Sequence, residues 1–220
     1  MKRVLTVLWF LMAVPAYGQT IVQSNAVTNN AAHTSLTVPF TSNPTAGDLI
    51  DVMVQVNSTT VTITAADTCA NTFMQIISQN SNDNTQREVR FYAKNIAGCG
   101  ADSVTLTYSA SVPFSRVLIS EISGLDTTSP LDQSISSNGA GVSLSVPSVT
   151  TTAASEILIA CGNTSVTSTG TAGTGYTIYL SQSAFCEDQV VSTTGNYAAT
   201  ATESMTGNWI MTLASYKVSG

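Results

Sequence analysis

Charge is what this chain has least of. It carries 7 lysines and arginines and 13 aspartates and glutamates, 9% of its 220 residues, where an ordinary globular domain has ~25%. With so few basic groups and an isoelectric point near 4.4, no patch can neutralise a run of phosphates, which excludes a nucleic-acid partner. One histidine, His33, is too few for a zinc or copper catalytic centre built on imidazoles. There is no Cys-x-x-Cys pair, no Gly-x-Ser-x-Gly nucleophile turn and no E-x-D-x-x-E carboxylate run. No window of eleven residues carries a helical stripe, which excludes bundles and coiled coils. Hydrophobic residues reach 43% at this low charge, and that excludes a disordered chain.

What fills the gap is hydroxyl. Threonine occurs 33 times and serine 28 times, a composition suited to a secreted all-β domain with a polar, uncharged surface. The N-terminus fits that compartment. Lys2 and Arg3 precede an apolar run from Val4 to Val14, Pro15 ends it, and Ala16-Tyr17-Gly18 leads into Gln19. This is the pattern of a cleaved secretory signal over residues 1–18; a membrane-spanning helix needs ~20 apolar residues. Cleavage would leave residues 19–220 as one extracellular (or periplasmic or surface-held) domain, with no later segment apolar enough for membrane insertion. Gln19 at the cut gives no lipid-acceptor cysteine.

Export decides how the cysteines read. Cys69, Cys99, Cys161 and Cys186 are all in the mature part, and disulfides are the default in an oxidising compartment. Three connectivities are possible. Cys69 and Cys99 both sit in loop-like stretches (DTCANT, AGCGAD), and Cys161 and Cys186 flank a hairpin-like stretch, which favours Cys69–Cys99 and Cys161–Cys186.

The hydrophobic period is two throughout. Ile50, Val52, Val54 and Val56 alternate with Asp51, Met53 and Gln55; Val89, Phe91 and Ala93 alternate with Glu88, Arg90, Tyr92 and Lys94. Val104, Leu106 and Tyr108 continue the pattern. About fourteen short strands separated by Asn, Gly, Pro and Asp clusters predict a two-sheet antiparallel β-sandwich, with jelly roll the expected topology. The Ser/Gly-rich stretch 134–143 could divide two smaller domains. However, Val117-Leu118-Ile119 and Ile157-Leu158-Ile159-Ala160 both read as fully buried central strands of a single sandwich.

The phrases NPTAGDLIDVMV, YAKNIAGCG, LISEISGLDTTSPLD, VTTTAASEILIACG and EDQVVSTTGNYAATATESMTGNWIM resemble a group of secreted bacterial β-sandwich domains, lectin-like or jelly-roll in form. These occur alone or as modules of large extracellular proteins. The resemblance covers roughly residues 20–217 and implies fold, with no catalytic residues to carry over. Cys69 and Cys99 stand where the group would have small residues, which implies a local disulfide addition.

Few residues suggest chemistry. Glu121 is embedded in an apolar strand on the face of Val117 and Ile119, and reads either as a general acid or as a buried Glu paired with Arg90, Arg116 or backbone donors. Glu187 and Asp188 point to opposite faces of one strand. Asp126 and Asp132 bracket a loop that could hold a structural Ca²⁺, against the plainer reading of turn-capping carboxylates. His33 reads as an exposed loop residue, and Trp209, beside Met211 and Leu213, as core. For ligand binding, alternation places Tyr92, Arg90 and Glu88 together on a solvent face, with Tyr179 as a second exposed aromatic. The expected function is therefore a non-enzymatic surface-interaction module for an extracellular glycan or a cell-surface or matrix protein, without a cofactor. The alternative is a structural subunit of a matrix, surface layer or filament. It would self-associate through sheet edges or through the strand that begins at Gln19.

Overall fold

The structure is a computed structural model that describes residues 18–219; the expected signal segment lies outside them except for Gly18. Among the described residues there are sixteen strands and no helix. The first eight are β1 (Thr20–Asn29), β2 (His33–Pro39), β3 (Leu49–Val56), β4 (Ile63–Asp67), β5 (Met74–Asn80), β6 (Arg87–Ala93), β7 (Ser103–Val112) and β8 (Ser115–Ser123). The remainder are β9 (Leu131–Ser145), β10 (Val149–Thr150), β11 (Glu156–Thr164), β12 (Gly170–Ala172), β13 (Thr177–Ser181), β14 (Ala184–Val191), β15 (Asn196–Tyr197) and β16 (Thr200–Lys217). Every pairing is antiparallel.

The antiparallel β-sandwich class holds, but the sheets outnumber the expected two. A central sheet runs β1-β8-β3-β6-β5, and an outer sheet runs β2-β7-β4. A C-terminal sheet runs β12-β16-β11-β14-β13, with β9 alongside β16, and β10 and β15 form a small ribbon. The pairs β1·β8, β2·β7 and β3·β6 nest, but β4 joins β7 and β5 joins β6. The closing β4·β5 pair of a jelly roll is not made.

The central sheet is covered on both faces. On one, Val52, Val54, Phe91 and Ile119 pack against Val38, Val104 and Leu106 of the outer sheet. On the other, Met53, Tyr92, Leu118 and Ile122 meet Ile157, Ile159, Ala214 and Tyr216 of the C-terminal sheet. The apolar runs at 117–119 and 157–160 are indeed inner strands: β8 lies between β1 and β3, and β11 between β16 and β14.

Residues 134–143 form no linker. They belong to β9, which pairs with β16 along most of its length. Small residues serve a purpose here, because Trp209 lies directly across from Gly139, and a Cβ there would come within 2.4 Å of the indole. Gly141 sits at φ +119° opposite Gly207, where the register shifts and both strands bend. The bend returns Leu144, Val146 and Ala201 over Leu158, Met211 and Leu213, closing a third apolar cluster that includes Trp209.

Both favoured disulfides are present, Cys69–Cys99 and Cys161–Cys186. Cys161 and Cys186 are directly opposed on β11 and β14 with Cα atoms 4.1 Å apart, the close spacing of a non-hydrogen-bonded antiparallel pair. Two disulfides are compatible with an oxidising compartment, and no helix among the described residues is long and apolar enough to cross a membrane. The strand beginning near Gln19 pairs within its own chain, as β1 along β8 at the edge of the central sheet.

Candidate functional site

The predicted binding strip is internal. Glu88 and Arg90 are 0% exposed and Tyr92 is 5% exposed. Alternation separated the two faces of β6 correctly, but the polar face meets the C-terminal sheet instead of solvent. Arg90 Nη2 donates to both oxygens of Asp51, at 2.7 and 2.8 Å, and the Tyr216 hydroxyl donates to Asp51 Oδ2 at 2.6 Å. Arg90 Nη1 donates to Thr212 Oγ1 at 3.0 Å, while Thr212 and Asn163 donate to Glu88. Burial lowers the pKa of Arg90, but the facing Asp51 carboxylate outweighs this and holds it above the ordinary value. Desolvation pushes Glu88 up to about 8, against the lowering effect of Thr212, Arg90 and Asn163. Tyr179 is turned inward as well. A bulge between Ile178 and Leu180 packs its ring against the same layer, where its hydroxyl accepts from Ser120 Oγ at 3.2 Å.

Other singled-out groups are occupied structurally. Glu121 is 0% exposed, but its partners are not Arg90 or Arg116. Gln23 Nε2 and the Thr45 backbone N–H each donate to it at 2.6 Å. Asp48, pushed up to about 7 by burial and by the hydrogen bond and charge of Glu121, completes a carboxyl pair closed off from solvent. Asp126 and Asp132 serve different loops. Asp126 Oδ1 accepts from the backbone N–H groups of Thr128 and Ser129, and Asp132 is held by Thr152. Glu187 and Asp188 do face opposite ways: Glu187 is buried with an oxygen accepting from Gly173 N, and Asp188 is half-buried. Cys69, Cys99 and Asp102 are mutually close enough to suggest a metal cluster, but both sulfurs are consumed by the disulfide.

His33 departs from the loop reading. It opens β2, with Nε2 2.7 Å from Ser115 Oγ and Nδ1 2.6 Å from the Ala31 carbonyl oxygen. That is nucleophile–base spacing. Ser115, however, is 0% exposed and accepts a hydrogen bond from the Tyr108 hydroxyl at 2.8 Å. The chain Tyr108–Ser115–His33–Ala31 pins the β1–β2 turn to the β7–β8 turn, with Ser115 buried behind a half-buried His33.

Sequence reasoning missed one concave site, at the open end of the layer between the central and C-terminal sheets. A cleft of about 240 Å³ is lined by the ends of β3 and β11, the start of β8 and the residues just before β6, including Gln55, Gln86, Phe114, Arg116 and Thr164. Its hydrogen bonds fix the direction of every amide. Arg116 can only donate, and its Nη1 reaches a Gln55 oxygen at 2.9 Å, so the Gln55 amide nitrogen must face the other way. That nitrogen donates to Gln86 Oε1 at 2.6 Å and to the Thr164 carbonyl at 3.2 Å. Gln86 Nε2 is left as a buried donor with no partner. Arg116 Nε is held by Thr28 Oγ1 at 3.0 Å, and the guanidinium lies 5.3 Å from the Phe114 ring centroid. Gln55 and Gln86 lie far apart in sequence and carry no motif. Only the register Arg116–Gln55–Glu88 across three strands would have signalled the site.

The chain matches no known family model, no curated protein and no solved structure.

Proposed function

We propose that this is a secreted, non-catalytic surface-interaction module that holds an extracellular glycan in the cleft over Gln86 and Arg116. The observation that carries this reading is a concave site whose hydrogen-bond donors are oriented in advance and left unpaired, since pre-ordered polar groups lower the cost of binding a polyhydroxylated ligand. Asp48 and Glu121 are both buried, and the Ser115 that His33 meets is 0% exposed, which supports binding over hydrolysis. The reading needs no cofactor and no Ca²⁺. A polysaccharide array probed with the wild type and with Thr167→Trp, which blocks the exposed rim of the cleft, tests it. Binding that the substitution abolishes supports this site, and binding that survives moves the ligand to another surface.

A second reading, an assembling structural subunit, draws on β1, whose ladder partner is β8 and whose other edge is open. Sedimentation across a concentration range separates the two: a strict monomer that binds glycan removes the assembly role.

A further inference from the structure

We propose that the cleft selects an acidic sugar, receiving the carboxylate of a uronic acid residue of an extracellular polysaccharide between Arg116 and Gln86. This rests on the glycan-binding reading above and narrows it to a ligand class. Among the described residues the one salt bridge is Arg90–Asp51, so Arg116 is a half-buried cation without a counter-ion. Of its five N–H donors, one is spent on Thr28 and one on Gln55. The Gln86 residue is 2% exposed, yet its Nε2 has no acceptor. No carboxylate lines the cleft.

A carboxylate answers all of these at once. One of its oxygens can accept from the guanidinium and the other from the amide, and bonds of this charge-assisted kind are about twice as strong as neutral ones. A neutral hydroxyl meets the donors singly and leaves the cation unpaired. The volume, about 240 Å³, falls below the ~300–1,000 Å³ of drug-sized sites and suits a single sugar residue. Phe114 backs the guanidinium and keeps its plane fixed. The acidity of the protein as a whole does not oppose this, because charges beyond ~8 Å are screened at physiological salt.

The test titrates the mature protein with trigalacturonate, its methyl ester, galactotriose and inorganic sulfate. Trigalacturonate should bind at least about tenfold more tightly than the ester or the neutral trimer. Gln86→Glu keeps the oxygen that accepts from Gln55 but adds a like charge facing the ligand. It should abolish acid binding. Because residue 86 is 2% exposed, the new charge also lowers the unfolding midpoint, so binding is read where circular dichroism shows the variant folded. Gln86→Met, which adds no charge, should weaken binding less. Equal affinity for acid and ester, or full binding by Gln86→Glu, overturns the proposal. Neutral sugar bound without acid preference overturns the carboxylate and keeps the glycan reading. Sulfate bound without any sugar, or no binding at all, overturns both.

Discussion

Glu88→Gln should make the protein more stable, and by an amount that depends on pH. Glu88 is 0% exposed, and burial raises its pKa from the ordinary 4.5 to about 8. Between those values the folded chain holds a proton that the unfolded chain has released. The folded state therefore binds more protons, and stability falls as pH rises, by ~1.4 kcal/mol per pH unit. Below pH 4.5 both states are protonated and Glu88 costs nothing through this linkage. By pH 7 its cost is on the order of 3 kcal/mol, and it levels off above pH 8. Glutamine has almost the same shape, accepts from Asn163 through its oxygen and has no proton to lose. The variant should match the wild type within ~1 kcal/mol at pH 4.5 and exceed it by several kcal/mol at pH 8. Urea unfolding from pH 4.5 to 8.5, with slopes checked for equality, measures the difference directly. Asp48 and Glu187, both raised to about 7 by burial, also destabilise the wild type as pH rises, but they are common to both proteins and cancel. Parallel curves would refute the reasoning, as would a variant less stable at pH 8, because either result means that Glu88 is ionised in the fold.

Gly139→Ala should cost ~1–3 kcal/mol in chemical unfolding, because its Cβ meets the Trp209 indole; a silent substitution would restore the linker reading of 134–143. Asp51→Asn should cost ~3–5 kcal/mol at neutral pH, since it leaves Arg90 buried and charged without its partner. Non-reducing peptide mapping should find no free thiol, and replacing Cys161 and Cys186 together by Ala should lower stability by ~3.5 kcal/mol, the loop-closure value for a separation of 25 residues. Glu121→Gln removes the neighbouring carboxylate that helps to raise Asp48, so an NMR titration should find the Asp48 pKa below its present value of about 7.

Fold class, both disulfides and the inner strands β8 and β11 were legible because each depends on a local signal: alternation, loop placement or an apolar run. The number of sheets was not. Period two says that a strand has two faces; it does not say what the second face touches. At β6 the face carrying Glu88, Arg90 and Tyr92 looks solvated by composition, and it is covered by a sheet whose first strand begins only at Leu131. Met53 on β3 and Leu118 and Ile122 on β8 were the available warning, since all three share that polar face. The strand β9 was hidden for the opposite reason. Its serines and glycines read as loop, but Gly139 is small because a Cβ there would meet Trp209, and Gly141 is glycine because the bend holds it at φ +119°.

The same misreading explains why the candidate site was displaced and not merely missed. The polar face of the central sheet is consumed internally along its middle, where Asp51, Arg90, Glu88, Thr212 and Tyr216 bond to one another and only Arg90 Nε among their side-chain atoms is left without a partner. A buried polar layer of this kind tolerates few unpaired groups, because each loses its water without replacement. Toward one end of the layer, Arg116–Gln55–Glu88 is the last rung whose side chains lie on this face, the final pairing Ser115–Val56–Arg87 pointing the other way. Inside that rung, Glu88 is met by Asn163 and Thr212. Outside it, the hydrogen-bond chain passes from Arg116 through Gln55 and stops at Gln86 Nε2, which has nothing left to donate to. A network that holds two sheets together thus ends at an unpartnered buried amide and at a half-buried cation without a counter-ion, and the proposed acid site rests on these two groups.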